Sequence, residues 1–475
     1  MPVYNYPSPR CPEYARPSKP ADCLPQARQL VKKEQGRAAF GPVKRGDSIL
    51  IVTLPDQDGF VKEAMTRALR EEGAAKVDFI YEHSLSELGE RVFSVEDGWR
   101  EAATMDNEPW DMSGSQFYSD IAAGLRDYLT RHPEYSTVYF GLGGRNHLMF
   151  QLKEHFSKYK ECWLFNNWEE FLSKAWTYPD ELLVEIERRI IAVLGQASRV
   201  RITDPEGTHL EYPLTAEAAR RWQRNAWWAG HLNLDLLMAT TEESAKLPVS
   251  AAVPPVFRDV NGVLAGTSNH MGFIPRIELF IEGGRLAAVK GGGKYGEMIR
   301  EMMDRYRDVH WPGYPEKGFF WYCDCALCTV VKAFRRKSDL FRSYWRLPNI
   351  TERNRAGIFH QGIGSRRHGQ KYLSYAKRHN LNTGHIHVHN YFATFEVKLQ
   401  GSEYWYKIVD KGRPTAMDDP GLRALAVKYG DPDDLLSFDW VPPLPGINCE
   451  GDYLADYAPD PVSYLKKRIR AGEPI

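Results

Sequence analysis

Residues 44–83 read KRGDSILIVTLPDQDGFVKEAMTRALREEGAAKVDFIYEH, and the order of apolar periods in this stretch decides the fold of the chain's first part. Ser48–Thr53 is a short, β-branched apolar run ending in turn residues, the pattern of a buried strand. Val61, Ala64 and Ala68 then recur at helical spacing, and Gly73 closes the segment. VDFIYEH returns to strand character. Strand, helix, strand at this spacing is a βαβ unit, which predicts a parallel sheet.

The alternation continues outward. A helix is predicted around Phe117–Thr130, followed by a strand in STVYFGLGG. GLGGRNH lacks both the full dinucleotide fingerprint and the Lys-Ser/Thr of a P-loop, so it reads as a tight strand-to-helix turn. PDELLVEIERRIIAVL repeats apolar residues at Leu183, Ile186, Ile190 and Leu194, with Pro179 near its first turn, and predicts a long helix. Residues 1–40 are rich in proline and polar groups without a sustained period and read as a draping arm. After Gly195 the pattern changes. RVRITDPEGTHLEYPL and VNGVLAGTSNHMGFIPRIELFIEGGRLAAVKGGGKY are strands separated by glycine-containing turns, with a hairpin at Glu282-Gly283-Gly284. The tail, DPDDLLSFDWVPPLPGINCEGDYLADYAPDP, reads as an irregular wrap. The fold class is therefore α/β: an N-terminal domain over 41–195 with a parallel sheet flanked by helices, then a β-rich α+β domain over 196–475.

Composition narrows the function classes. Lys+Arg and Asp+Glu both total 62, so the chain lacks the basic excess of a phosphate-tracking protein, and no nucleic-acid partner is expected. No run approaches the roughly 18 to 20 apolar residues that cross a bilayer, and the first twenty residues lack a signal-peptide pattern. Seven cysteines are few for 475 residues and odd in number, which suits a reducing cytoplasm. A cytoplasmic protein without a membrane partner is the expectation.

Two motifs carry candidate chemistry. Cys323, Cys325 and Cys328 in WYCDCALCTVV have the C-x-C-x-x-C form that opens some metal sites, but the second half of a zinc pattern is missing. At helical spacing Cys325 and Cys328 read as small buried residues, so a structural role is the plainer expectation. LNTGHIHVHNYF places His385, His387 and His389 in strict alternation. On a strand all three point to one face, with neighbours about 6.5 to 7 Å apart and the outer two about 13 Å apart. One ion is then shared by an adjacent H-x-H pair and a third ligand from elsewhere. The nearest candidate is His360 in AGIFHQGIGSRRHG, against a Gly-x-Gly turn.

GDSILIVTLPDQ, EGAAKVDFIY, RVRITDPEGTHLEYPL and GVLAGTSNHMGFIPRIELFIEGGRLAAVKGG occur in an order, across residues 45–412, that resembles a known superfamily. It contains the metal-dependent aminopeptidases of the T and S type and, as a branch, 2,5-dihydroxypyridine 5,6-dioxygenase. In the dioxygenase branch a histidine precedes a Gly-x-Gly-Leu-Asn-Pro turn. FHQGIGSR puts His360 there, with Ser365-Arg366 in place of Asn-Pro. That branch also has a His-x-Asp pair on a strand. Spacing from LQGSEYW and IVDKGR sets this pair on His387 and His389, so a histidine stands where the branch has its aspartate. The peptidase branch's acidic cluster has no counterpart.

The resemblance thus implies one divalent ion (Mn, Fe or Zn) on His360, His387 and His389, and a small anionic cyclic substrate whose ring is opened. A three-histidine site favours hydrolytic C–C cleavage, as of a cyclic 1,3-dione, with oxygen-dependent cleavage as the alternative. A metalloaminopeptidase or a non-catalytic binding protein on the same scaffold are further alternatives. His385 is left as a pocket residue, His270 as an acid/base candidate and Tyr391 as a pocket donor. Arg366 and Arg367 are candidates to clamp an anion, and His231, among aromatics in WWAGHLN, to face the pocket. The family also implies a homo-oligomer with the pocket near subunit contacts.

Overall fold

The computed structural model describes residues 4–34, 39–53, 57–85, 116–140, 159–161, 167–224, 230–234, 257–269, 272–310, 314, 316–318, 320–337, 340, 354–365 and 384–475. The chain divides into two compact units, one drawn from 13–92 and 108–180, the other mainly from 1–12 and 181–475.

The first unit is built on the stretch that opened the sequence analysis. β1 (Ser48–Thr53), β2 (Lys76–Tyr81), β3 (Thr137–Phe140) and β4 (Tyr159–Glu161) form a parallel sheet in the order β2-β1-β3-β4. A central parallel strand is covered on both faces, and Ile49 through Thr53 are all buried. Helix α1 (Pro20–Leu30) and helix α2 (Gly59–Glu71) lie in the same apolar core as Ile49 and Ile51. The Asp58 side chain caps α2 by accepting from the backbone N–H of Phe60 and Val61. Val61, Ala64, Met65, Ala68 and Leu69 supply the buried stripe of α2. Gly73, at φ +114°, ends it. Helix α3 (Gln116–Arg131) precedes β3. The N-terminal arm differs from the expectation. Pro20 sits at the first turn of α1, where its missing N–H costs nothing, and Cys23, Leu24, Ala27 and Leu30 are buried. GLGGRNH lies outside the described residues.

The second unit carries helix α4 (Asp180–Leu194) and a large, mainly antiparallel sheet. In chain order its strands are β5 (Ala197–Thr203), β6 (His209–Pro213), β7 (His231–Asn233), β8 (Asn261–Asn269), β9 (Gly272–Glu282), β10 (Arg285–Gly291), β11 (Trp321–Cys328), β12 (Phe359–Ser365), β13 (Gly384–Asn390), β14 (Thr394–Leu399), β15 (Trp405–Asp410) and β16 (Arg413–Pro414). They run in the order β13-β12-β11-β10-β9-β8-β6-β5-β14-β15-β16, with β7 added on β11. Gly283 and Gly284, at φ +56° and +81°, make the β9–β10 hairpin that the sequence predicts. The sheet curls so that β8 meets β13. A Cβ on Gly266 would stand 2.7 Å from Val388 Cγ1, and Asn390 Nδ2 donates to the Ala265 carbonyl at 2.9 Å.

Two local readings change. The cysteine run is not helical: WYCDCALC is β11, buried throughout, because its flanking aromatics and β12 partner favour a sheet. The Gly-x-Gly after His360 is not a turn either. Gly362 and Gly364 continue β12 as far as Ser365.

Candidate metal centre

The site is built by β11, β12, β13 and β7. His360 lies opposite His389, Gly362 opposite His387, and Gly364 opposite His385. On the other side of β12, Asp324 is opposite Gly362 and Ala326 opposite His360, while Cys328 pairs with His231 of β7. The two-residue period therefore gathers Asp324, Cys328, His360 and the three histidines of β13 on one face. A bulge at Cys323 decides this parity. Tyr322 and Asp324 pair with the successive residues Ile363 and Gly362, so Asp324 turns to the histidine face and Tyr322 to the other. There the Tyr322 hydroxyl donates to Gln361 Oε1 at 2.9 Å.

Among the described residues, two groups of three donors converge closely enough to share an ion: Asp324 with His385 and His387, and His231 with Cys328 and His360. In the first, Asp324 Oδ2 lies 2.7 Å from His387 Nε2 and 3.1 Å from His385 Nε2, and the two nitrogens are 3.0 Å apart. Donors bound at about 2.0 to 2.2 Å to one ion sit about 2.8 to 3.6 Å apart, so 3.0 and 3.1 Å fall in that span, 2.7 Å lies just short of it, and a slight parting of Asp324 from His387 fits the donor set to a divalent metal. Hydrogen bonding alone serves three mutually touching atoms poorly, because a proton on both nitrogens sets two N–H groups against each other. Burial pushes the Asp324 carboxyl up. The charge of His385, with hydrogen bonds from His385 and His387, outweighs burial and holds it well below the usual carboxylate range, in the anionic form a metal needs.

Gly362 makes this convergence possible. A Cβ there would lie 2.3 Å from His385 Cδ2 and 2.6 Å from Asp324 Cβ. The missing side chain is the floor over which β11 and β13 bring their donors together. The His387 side chain is 1% exposed, against 11% for His385 and 12% for Asp324, so the open edge of the cluster belongs to the latter two.

The sequence reading paired His387 with His389, and the structure distributes these residues otherwise. His389 faces the side chain of His360, and the two rings stack at 4.2 Å and 19°. His385 and His387 face glycines, and their rings lean together over β12 with centroids 4.3 Å apart. The rings of His360, His387 and His389 remain neighbours, with His387 6.2 Å from His360 and 6.3 Å from His389 between centroids. His231 is half-buried, its Nε2 3.3 Å from His360 Nδ1, and Cys328 Sγ lies 3.4 Å from His360 Nε2. Tyr391 lies past the end of β13, buried, where its hydroxyl accepts from Arg335 Nη2 at 2.9 Å and its ring meets Trp440 edge-on. His270, Arg366 and Arg367 lie outside the described residues. Asp324 is the donor that motif reading passed over. Its one signal was a carboxylate inside an otherwise apolar run, WYCDCALC, where a buried charge needs partners.

Fold and site together define an α/β and β-sheet chain with a buried cluster of imidazoles and one carboxylate on a strand face. No protein-family model matches the chain, and no curated protein does. Solved structures similar to it include the following two. 2,5-Dihydroxypyridine dioxygenase from Pseudomonas putida KT2440 shares 12% identity at a TM-score of 0.42, covering 84% of this chain and 98% of that one. AmpT from Thermus thermophilus shares 13% identity at a TM-score of 0.43, covering 83% of this chain and 99% of that one. Among the described residues no helix is long and apolar enough to cross a membrane.

Proposed function

We propose that the chain is a metal-dependent enzyme that opens a small anionic ring bearing hydroxyl or oxo groups, with Asp324, His385 and His387 holding the ion. The observation that carries the metal dependence is the convergence of two imidazole nitrogens on one anionic carboxylate oxygen over Gly362. The substrate class rests on the resemblance read in the sequence. A divalent ion bound there supplies Lewis acidity to an oxygen atom of substrate or water. His387 anchors the site from within, and Asp324 and His385 form the edge from which a substrate approaches. His389, stacked on His360 beside His387, offers an imidazole nitrogen for proton transfer, and the stacked pair offers a wall against a planar ring.

Asp324 bears on the choice of reaction. A histidine at 389 in place of a carboxylate favours hydrolysis, but Asp324 brings a carboxylate to His385 and His387 from a different strand. Two histidines and one carboxylate suit oxygen activation at Fe(II) as well as metal-assisted hydrolysis. Oxygen-dependent cleavage therefore stands level with hydrolytic opening of a cyclic 1,3-dione. Metal content decides the shared premise: purified protein is expected to carry stoichiometric metal that Asp324→Asn and His387→Ala lose. Turnover of dihydroxylated aromatic rings and cyclic diones, with and without oxygen, then separates the routes. Oxygen uptake matched to turnover assigns the oxygenase, and unchanged anaerobic turnover assigns the hydrolase. A wild-type protein that binds no metal removes both.

A further inference from the structure

We propose that His231, Cys328 and His360 form a second metal site, suited to a thiophilic ion of the zinc class and separate from the Asp324 cluster. Cys328 Sγ stands 3.4 Å from His360 Nε2, close to the spacing of a thiolate and an imidazole on one tetrahedral ion. Each residue offers a donor atom within 4.8 Å of the others, Cys328 and His360 buried and His231 half-buried; His231 Nε2 stands nearest His360 Nδ1, at 3.3 Å, so its ring swings toward the Cys328 side of His360 to complete the set.

The backbone beneath them is pinned. Cys328 donates its N–H to the Ile358 carbonyl at 3.0 Å and accepts from Gly357 N–H at 2.9 Å. Glu187 of α4 accepts from Gly230 N–H at 2.7 Å and from the Thr329 hydroxyl at 2.6 Å, clamping the residue before His231 to the residue after Cys328. Gly230, at φ +103°, lets β7 approach β11, since a Cβ there would meet Val330 Cγ2 at 2.6 Å. Such anchoring fixes the strand positions that carry His231 and Cys328 and limits the ion's work to orienting their side chains.

The two sites differ in chemistry. Nitrogen and thiolate donors select Zn(II) or Cu(I), whereas a carboxylate with two imidazoles also accepts Mn(II) and Fe(II). Binding at the second site displaces the thiol proton of Cys328 to solvent.

The test uses the full chain, stripped with chelator and titrated with Co(II) alone. The wild type is expected to show a near-ultraviolet thiolate-to-cobalt band and to bind two ions per chain. Cys328→Ser, nearly isosteric, is expected to lose the band and one ion while keeping its melting temperature. Asp324→Asn is expected to keep the band and lose the other ion. His231→Gln, at the half-buried edge, is expected to weaken the band-forming ion by at least about tenfold. Absence of the band in the wild type, its survival in Cys328→Ser, or unchanged affinity in His231→Gln overturns the proposal. A single band-forming ion that Asp324→Asn leaves in place supports this site while counting against the Asp324 centre.

Discussion

Replacing Gly362 with alanine tests whether the glycine floor assembles the Asp324 cluster. The added Cβ would stand 2.3 Å from His385 Cδ2, where ordinary contact begins at 3.4 Å, so the ring has to retreat by 1.1 Å. Asp324 Cβ, at 2.6 Å, cannot yield in its place because it is one bond from the β11 backbone. Metal ligands tolerate errors of about 0.2 Å, so a displacement of this size removes His385 from the donor set. The expected loss of metal affinity is about 10- to 100-fold. Overpacking between two strands also costs about 1–3 kcal/mol of stability. Zinc competition against a chromophoric chelator, run with and without Gly362→Ala in a Cys328→Ser background that removes the thiolate site, reads the first effect, and urea denaturation the second. Gly59→Ala, whose Cβ meets nothing within 4 Å at the start of α2, is the control for glycine replacement as such. If Gly362→Ala binds zinc as tightly as the wild type and unfolds at the same urea concentration, the convergence of donors does not depend on Gly362 and the reasoning fails.

Two further outcomes follow from buried charge elsewhere in the second unit. Burial, then the neighbouring charge of Asp204, raises the Glu206 carboxyl above its ordinary range, against hydrogen bonds from Thr267 and Tyr453. The folded state then holds a proton that the unfolded state has released, so stability falls as pH rises from the ordinary carboxylate range through the raised value. Glu206→Gln, whose Oε1 still accepts from both hydroxyls, is expected to flatten that fall in melting temperature between about pH 4 and pH 9. An unchanged slope places the excess proton elsewhere. Lys332 is 1% exposed and donates to Asp439 Oδ1 at 2.8 Å and to the carbonyls of Asp434 and Ser437 at 2.6 and 3.0 Å. Lys332→Met leaves Asp439 buried without this partner and is expected to cost about 3–5 kcal/mol, with partial recovery when Asp439→Leu is added, both read by urea denaturation.

Much of the fold was legible because local periods carried it. Ser48–Thr53 is a strand with the predicted bounds, and α2 buries the predicted face, since a central parallel strand and an amphipathic helix each write their environment into their own residues. The α1 helix was obscured by its prolines. Pro20 occupies a position that needs no N–H, and Pro25 lies inside the helix, where the core formed with α2 compensates for its lost bond.

The sequence by itself determined that His385, His387 and His389 share a face, because side chains on a strand alternate whatever surrounds them. It also marked His360 as a companion. Which histidines meet, and which carboxylate joins them, was decided only by tertiary structure. Register between strands set His389 against the bulk of His360 but His387 against the bare Cα of Gly362. The bulge at Cys323 turned Asp324, 61 residues away from His385, onto the same face. Neither cross-strand register nor a bulge leaves a periodic trace along the chain. Both arise from contacts between segments far apart in sequence, and that is why the donor set emerges only in the folded sheet.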